Sequence, residues 1–272
     1  QLCDWLALDG PDIPENHSRV IGGTENTFQC SAYYYYSLNL VCKAAKVLGN
    51  NEAYEKYHKR AEETLKAIRD EYFTPTGRCA IQTQTALSLA IILDLYPEGT
   101  LQTSANSLHK LLENKNFHLC TGFIGTPILC RALAKAGVTT FLQEDYPGWL
   151  YPITMGATTT WERWDSMRPN GKVSPEGMNS FNHYAYASVL EWIYCDICGL
   201  NPLTEYPGFK RALFKPHPDE RLHYAKASHE SPNGLYTCEW KIEGDKVHYS
   251  FSIPYNAQAK LELVDLKKGE VF

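Results

Sequence analysis

Residues 156–165 read Gly-Ala-Thr-Thr-Thr-Trp-Glu-Arg-Trp-Asp, which sets Glu162 between the indoles of Trp161 and Trp164 and beside the guanidinium of Arg163. Indole faces pack against the apolar faces of sugar rings, and a carboxylate among them can take a proton from water or from a hydroxyl. Thr158, Thr159 and Thr160 add three hydroxyls on β-branched residues that favour an extended backbone, suited to presenting Glu162 at the mouth of a cavity. The same residues also suit an ordinary core pair of tryptophans with a surface ion pair, and spacing alone does not separate the two readings. Arg163 either pairs with Glu162 or points elsewhere. His183, between Asn182 and Tyr184, and Asp4, before Trp5, are the other groups able to bind or catalyse. His183 by itself reads more readily as a hydrogen-bonded core residue. Asp4 either accepts a hydrogen bond from a ligand hydroxyl or caps the adjacent turn.

These residues need elements to position them, and most of the chain reads as helix. Periodicity predicts a helix to Leu48 capped by Asn26 or Thr27, with Ala32, Tyr36, Leu40, Ala44 and Val47 on one stripe. A second, over about 52–72, follows the short joint Gly49-Asn50-Asn51 and makes an antiparallel αα-hairpin. Residues 84–95 are apolar almost all round, so that helix is expected to be buried on most sides. An amphipathic partner covers 101–114, a helix covers 127–136 with Gly137 as terminator, and a short one is expected near 139–145. Met178 to Cys198 reads as one long helix with Asn179 and Asn182 as caps, Tyr184 on its apolar side and Glu191 within an apolar face. The total is about seven helices, alternately apolar and amphipathic: part of an (α/α)6 toroid, whose closed ring of six hairpins needs about twelve. Past Pro202 the period becomes two. Residues 236–242 and 247–253 form a hairpin about Gly244-Asp245, and strands near 211–216, 222–229 and 259–264 complete a small antiparallel sheet or sandwich. The expected domains are 1–203 and 204–272.

Composition excludes some classes of function. The net charge is −5 over 272 residues, which argues against a nucleic-acid surface. No apolar run reaches the roughly 18 residues of a membrane span. Nine cysteines are an odd number in a chain too long for a disulfide miniprotein. Cys195 and Cys198 have redox or half-zinc spacing, but no second pair is spaced to complete a metal site. No metal or cofactor is expected. The chain opens on Gln1 with no visible leader, and it reads as a piece of a longer protein. The compartment, cytoplasmic or periplasmic, is open.

Six stretches in order resemble the catalytic region of the bacterial α-L-rhamnosidases, glycoside hydrolases built on a six-hairpin toroid. They are Asp4-Trp5-Leu6, Gln84-Thr85-Ala86, residues 121–127 (Thr-Gly-Phe-Ile-Gly-Thr-Pro), Trp149-Leu150-Tyr151, residues 156–165, and residues 178–186 (Met-Asn-Ser-Phe-Asn-His-Tyr-Ala-Tyr). Two departures are small: Cys3 and Ala187 stand where the family often has glycine. The resemblance implies inverting hydrolysis of a terminal α-L-rhamnosyl residue, with one carboxylic acid protonating the leaving oxygen and a carboxylate activating water. It places the general base on Glu162, brings His183 to the bound sugar, and makes Trp5, Trp161 and Trp164 walls of the sugar pocket with Asp4 nearby. The family's general-acid motif has no counterpart here, since Glu144-Asp145 precedes a turn and Glu191 lies in a helix. The implied partners are a rhamnose-containing glycoside or polysaccharide, and either the upstream part of the same enzyme or a second copy. Two rivals share these residues: another hydrolase or lyase on the same toroid, and a non-catalytic carbohydrate-binding or scaffolding piece.

Overall fold

Short turns set the first helical hairpin. The computed structural model describes residues 4–10, 22–137 and 148–263, and within it α1 spans Asn26–Val47 and α2 spans Asn51–Tyr72. Gly49 reverses the chain at φ +68°, and Asn50 caps α2 by accepting the Ala53 N–H at 3.0 Å. The N-cap of α1 is Glu25, without a side-chain bond, rather than Asn26 or Thr27. Its buried face also differs from the expected stripe. Phe28, Gln29, Ala32, Leu38, Cys42 and Ala45 are buried, whereas Tyr36, Leu40 and Val47 are exposed. This helix carries apolar residues on more than one side, so periodicity alone could not select the face that packs on α2.

Helix α3 (Gln84–Ile92) is the centre of this unit. Its residues 84–91 are all buried, as its apolar character almost all round predicts, and the burial takes in Gln84, Thr85 and Ser88 as well. Thr83 caps it by accepting the Ala86 N–H, and it stops at Asp94, whose φ of +54° is left-handed. Around it stand α1, α4 (Leu101–Glu113) and α5 (Thr126–Lys135). The core joins Phe28, Ala32, Ile68, Tyr72, Leu89 and Leu95, with Phe28 and Tyr72 edge-to-face at 5.1 Å. The expected helix near 139–145 and the carboxylates Glu144 and Asp145 lie outside the described residues. One short helix, α6 (Leu150–Thr154), was not anticipated; it ends at Gly156 with φ +84°.

The long helix expected from Met178 does not form as one element. Helical geometry begins only at Ala185, with a 3-10 turn to Ser188, α7 at Val189–Trp192 and a π turn over Ile193–Ile197. Residues upstream are irregular because their backbone is used elsewhere. The Ser180 and His183 groups bond the 160–162 segment, so they cannot make helical i→i−4 bonds. Tyr184, placed on the apolar side by periodicity, is 83% exposed, and Glu191 is exposed as well.

Packing divides the chain into Gln1–Ala187 and Ser188–Phe272. The second unit carries β1 (Leu200–Pro202), β2 (Arg211–Phe214), β3 (Tyr224–Ser231), β4 (Gly234–Glu243), β5 (Lys246–Ser252) and β6 (Gln258–Leu261). They form two sheets, β1-β2-β6 and β3-β4-β5. Every pairing is antiparallel except β2 with β6, which run parallel with Ala212 opposite Ala259. Alternation along β4 holds: Tyr236, Cys238 and Trp240 point inward and are buried. Trp240 donates its indole N–H to the Ile197 carbonyl at 2.8 Å, and Cys238 donates to that of Cys198. Burial pushes the Cys198 thiol up to about 11 and that of Cys238 up to about 12, so both stay protonated at neutral pH, as packing groups rather than nucleophiles. Among the described residues, no three His, Cys, Asp or Glu side chains are grouped to hold a metal ion, and no helix is long and apolar enough to cross a membrane.

Gly199 links the π turn to β1 at φ +78°, and an added Cβ would meet the Pro216 nitrogen at 2.1 Å. Gly199→Ala is therefore expected to destabilise the chain by more than about 1 kcal/mol. The measurement is a lower urea midpoint at unchanged slope.

Candidate active site

Two extended segments build the site by bonding each other. The His183 N–H donates to the Thr160 carbonyl at 2.8 Å, and the Thr160 hydroxyl donates to the His183 carbonyl at 2.6 Å. Thr159 donates its hydroxyl to the Phe181 carbonyl. The Glu162 N–H donates to the Ser180 carbonyl at 2.9 Å, and the Ser180 N–H returns a bond to Glu162 Oε2 at 2.8 Å. The threonines thus act as staples, and Glu162 is held by backbone and carboxylate to the same residue. Among the described residues its other oxygen, Oε1, takes no hydrogen bond, and the residue keeps 7% of its surface accessible. One oxygen is fixed and the other is left to act.

Arg163 turns away from Glu162. Its Nε donates to Asp165 Oδ1 at 2.8 Å and its Nη2 to Oδ2 at 3.4 Å, in a buried pair. The alternative in which Arg163 pairs with Glu162 is thereby resolved. His183 Nδ1 accepts the Ala185 N–H at 3.2 Å, so the neutral ring carries its proton on Nε2, as a donor. The imidazole is sandwiched, 5.0 Å from the Phe123 ring at 29° and 5.1 Å from that of Tyr184 at 16°.

The tryptophans face inward. Trp164 is 2% exposed, stacks on Tyr186 at 4.0 Å and 7°, meets Trp149 edge-on at 5.6 Å, and donates its N–H to the Thr121 carbonyl at 2.9 Å. Trp161 is buried between Tyr151 and Phe181, both edge-on. Both indoles were expected to wall a pocket. In the structure each is buried and in contact with other aromatic rings. Trp5 is half-buried, with its carbonyl accepting the Phe123 N–H at 2.9 Å. Gly122 stands where an added Cβ would meet that carbonyl at 2.0 Å. Burial pushes the Tyr186 phenol well above its usual range; the charge of Asp4 adds to this, Arg163 opposes it, and Asp165 and Glu162 raise it further. It stays a neutral hydroxyl.

Asp4 is an anchor. Its Oδ1 accepts the N–H groups of Ile124 (2.8 Å) and Gly125 (3.0 Å), and its Oδ2 accepts Gly122 N–H (2.9 Å) and the Thr85 hydroxyl. The three backbone donors precede α5, so the carboxylate holds the turn at that helix start, and the Thr85 hydroxyl ties it to α3. The turn it holds is this distant one, rather than the turn adjacent to it in sequence. Burial raises its carboxyl above the usual range, and these four donors pull it back. Thr121 and Thr126 close the same turn, hydroxyl to hydroxyl at 2.8 Å.

Asn179 does not cap a helix. Its Nδ2 donates to the carbonyls of Ser166 (3.4 Å) and Ser174 (3.3 Å). Sequence reasoning missed Ser180, since a backbone N–H aimed at a carboxylate leaves no mark on residue type. It also missed Phe123 and Phe181 as ring partners, although both stand in the quoted motifs. A cavity of 430 Å³ runs beside Thr27, Arg60, Glu63 and Tyr72, and one of 240 Å³ beside Leu190, Tyr194 and His229; neither is lined by Glu162 or His183.

By comparison with known families, the helical unit is a glycosidase domain of the six-hairpin class. Residues 1–197 match the family model of the bacterial alpha-L-rhamnosidase 6 hairpin glycosidase domain, and 199–271 match that of the bacterial alpha-L-rhamnosidase C-terminal domain. The chain belongs to the bacterial alpha-L-rhamnosidase family. It is 37% identical over 266 residues to an alpha-L-rhamnosidase of Alteromonas sp. (strain LOR), covering 94% of this chain and 28% of that protein. The structure of Streptomyces avermitilis alpha-L-rhamnosidase complexed with L-rhamnose superposes with TM-score 0.85 at 32% identity, over 95% of this chain and 24% of that one. That of native Aspergillus terreus alpha-L-rhamnosidase gives TM-score 0.88 at 32% identity, over 96% and 30%. The chain thus spans under a third of the length of these relatives.

Asp4→Asn keeps the shape but turns an amide donor toward backbone donors. It is expected to cost about 2 kcal/mol or more, since hydrogen bonds to a charged group contribute roughly 1.5–3 kcal/mol each. Urea unfolding of the variant beside the parent at one pH measures this.

Proposed function

We propose that this chain is the base-bearing part of an inverting glycoside hydrolase that removes terminal α-L-rhamnosyl residues. Glu162 is the general base, and the observation that carries the reading is its carboxylate: Oε2 held by the Ser180 N–H and Oε1 without a partner among the described residues. In that geometry the free oxygen draws a proton from water as it attacks the anomeric carbon. The leaving oxygen takes its proton from an opposing carboxylic acid, which inversion sets roughly 6.5–9.5 Å from the base. That acid comes from a segment matching the part of the relatives that this chain does not span. The same upstream segment is the partner this chain packs with in the working enzyme.

His183 donates from Nε2 to a sugar hydroxyl, with its ring orientation set by Phe123 and by the Ala185 N–H. Trp5 is the indole that meets the sugar directly, while Trp161 and Trp164 are the aromatic floor that keeps the 160–165 segment rigid. Asp4 holds the turn from which Phe123 projects. The substrate is a rhamnose-containing glycoside or polysaccharide. A purely carbohydrate-binding role finds less support, because the paired indoles offer buried rather than open faces.

Two measurements test this. In the parent polypeptide, Glu162→Gln is expected to lower turnover of an aryl α-L-rhamnoside by about 10²–10⁴-fold while L-rhamnose still binds; unchanged turnover sinks the assignment. The 1–272 chain by itself is expected to show no turnover at the parent's rate, and full activity would mean that the acid lies within it.

A further inference from the structure

Glu162 is oriented by a loop, and the loop needs its own support. Residues 178–183 make no helix, yet Ser180 must present both its N–H and its carbonyl to Glu162. Met178 takes a left-handed backbone, φ +54°, which a non-glycine residue adopts only when its surroundings impose it. The imposing contacts come from the next residue. Asn179 Nδ2 reaches two carbonyls, those of Ser166 and Ser174, which face each other across a small hairpin. That hairpin is closed by the Ser174 N–H on the Ser166 carbonyl at 2.9 Å, by the Arg168 N–H on the Lys172 carbonyl at 2.9 Å, and by the pairing of Met167 with Val173. Its first strand continues directly from Glu162 through Asp165. One amide therefore ties the loop carrying Ser180 to the segment carrying Glu162.

We infer that Asn179 is a positioning residue for the base: it fixes the left-handed turn at Met178 so that the Ser180 N–H holds Glu162 Oε2, leaving Oε1 aimed at water. The inference rests on the reading of Glu162 as general base. Loss of the Asn179 bonds lets Met178 relax to an ordinary backbone and swings the Ser180 N–H off the carboxylate. A charge-assisted hydrogen bond is then exchanged for solvent, and the oxygen that activates water loses its fixed direction. The His183 backbone is tied separately, through Thr160, and stays in place.

The experiment compares Asn179→Ala, the near-isosteric Asn179→Asp and Glu162→Gln in the parent polypeptide on an aryl α-L-rhamnoside, with the pH profile of kcat/KM and the melting temperature of each. Both Asn179 variants replace a donor facing two carbonyls, by nothing or by an acceptor. The expected result is a fall in kcat and kcat/KM together, by up to about 100-fold, with KM held. The pH profile of kcat/KM departs from wild type in Asn179→Ala. Wild-type kcat and profile in both variants, beside an inactive Glu162→Gln, would overturn the role of Asn179 and leave the base assigned. An active Glu162→Gln would overturn both. A loss of active protein that leaves kcat per folded molecule and the profile unchanged in Asn179→Asp would also overturn it, as that is what a purely structural tie produces.

Discussion

The buried carboxylate of Asp4 is the point on which the first unit hangs. Its hydrogen bonds join residues 81, 118, 120 and 121 positions apart in sequence. A charge taken out of water is tolerated only if its lone pairs are filled, and the turn before α5 has unpaired N–H groups to fill them. Each side of the contact would be costly alone. The turn so fixed then receives the Trp164 indole on the Thr121 carbonyl, and Trp164 stacks on Tyr186. The residues around Glu162 are thus positioned through a chain of contacts that begins far from it in sequence.

Extended backbone, rather than helix, makes the site. A carboxylate on a helix would have its neighbours' N–H groups already committed to helical bonds. Along 160–162 and 180–183 those groups are free to bond across, and the Ser180 N–H can be aimed at Glu162. Local helical propensity in 178–198 yields to this pairing for its first third. The cost shows as the left-handed Met178, and helical structure resumes at Ala185 once the site has been built.

The aromatic residues divide by depth. Trp149, Tyr151, Trp161, Trp164 and Tyr186 stack or meet edge-on in the interior, where large rings bury much apolar area at low entropic cost. Trp5 and His183 stay partly open, and His183 joins that cluster through Phe123. Rigidity comes from the buried rings, and contact with solvent is left to the few at the rim. The carboxylate beside them keeps little accessible surface but is not sealed.

Residue order alone was enough to place the family, because six motifs in sequence are far more specific than any one of them. The helical hairpins were legible from the turn at Gly49-Asn50-Asn51 and from the mostly apolar run that starts at Gln84, as was the period-two hairpin across Gly244. Glu162 and His183 were visible as residue types able to do chemistry. What sequence could not decide was direction and partnership. It left Arg163 undecided between Glu162 and some other direction, and Asp4 between a ligand hydroxyl and the turn adjacent to it. It also placed Tyr184 inside, put one helix where a loop stands, and gave no sign of the parallel β2–β6 pair. Each of these turns on which backbone groups are already bonded to distant segments. Periodicity and propensity describe a residue and its near neighbours, whereas long-range hydrogen bonds settle which donors remain free, and only the assembled tertiary structure supplies them.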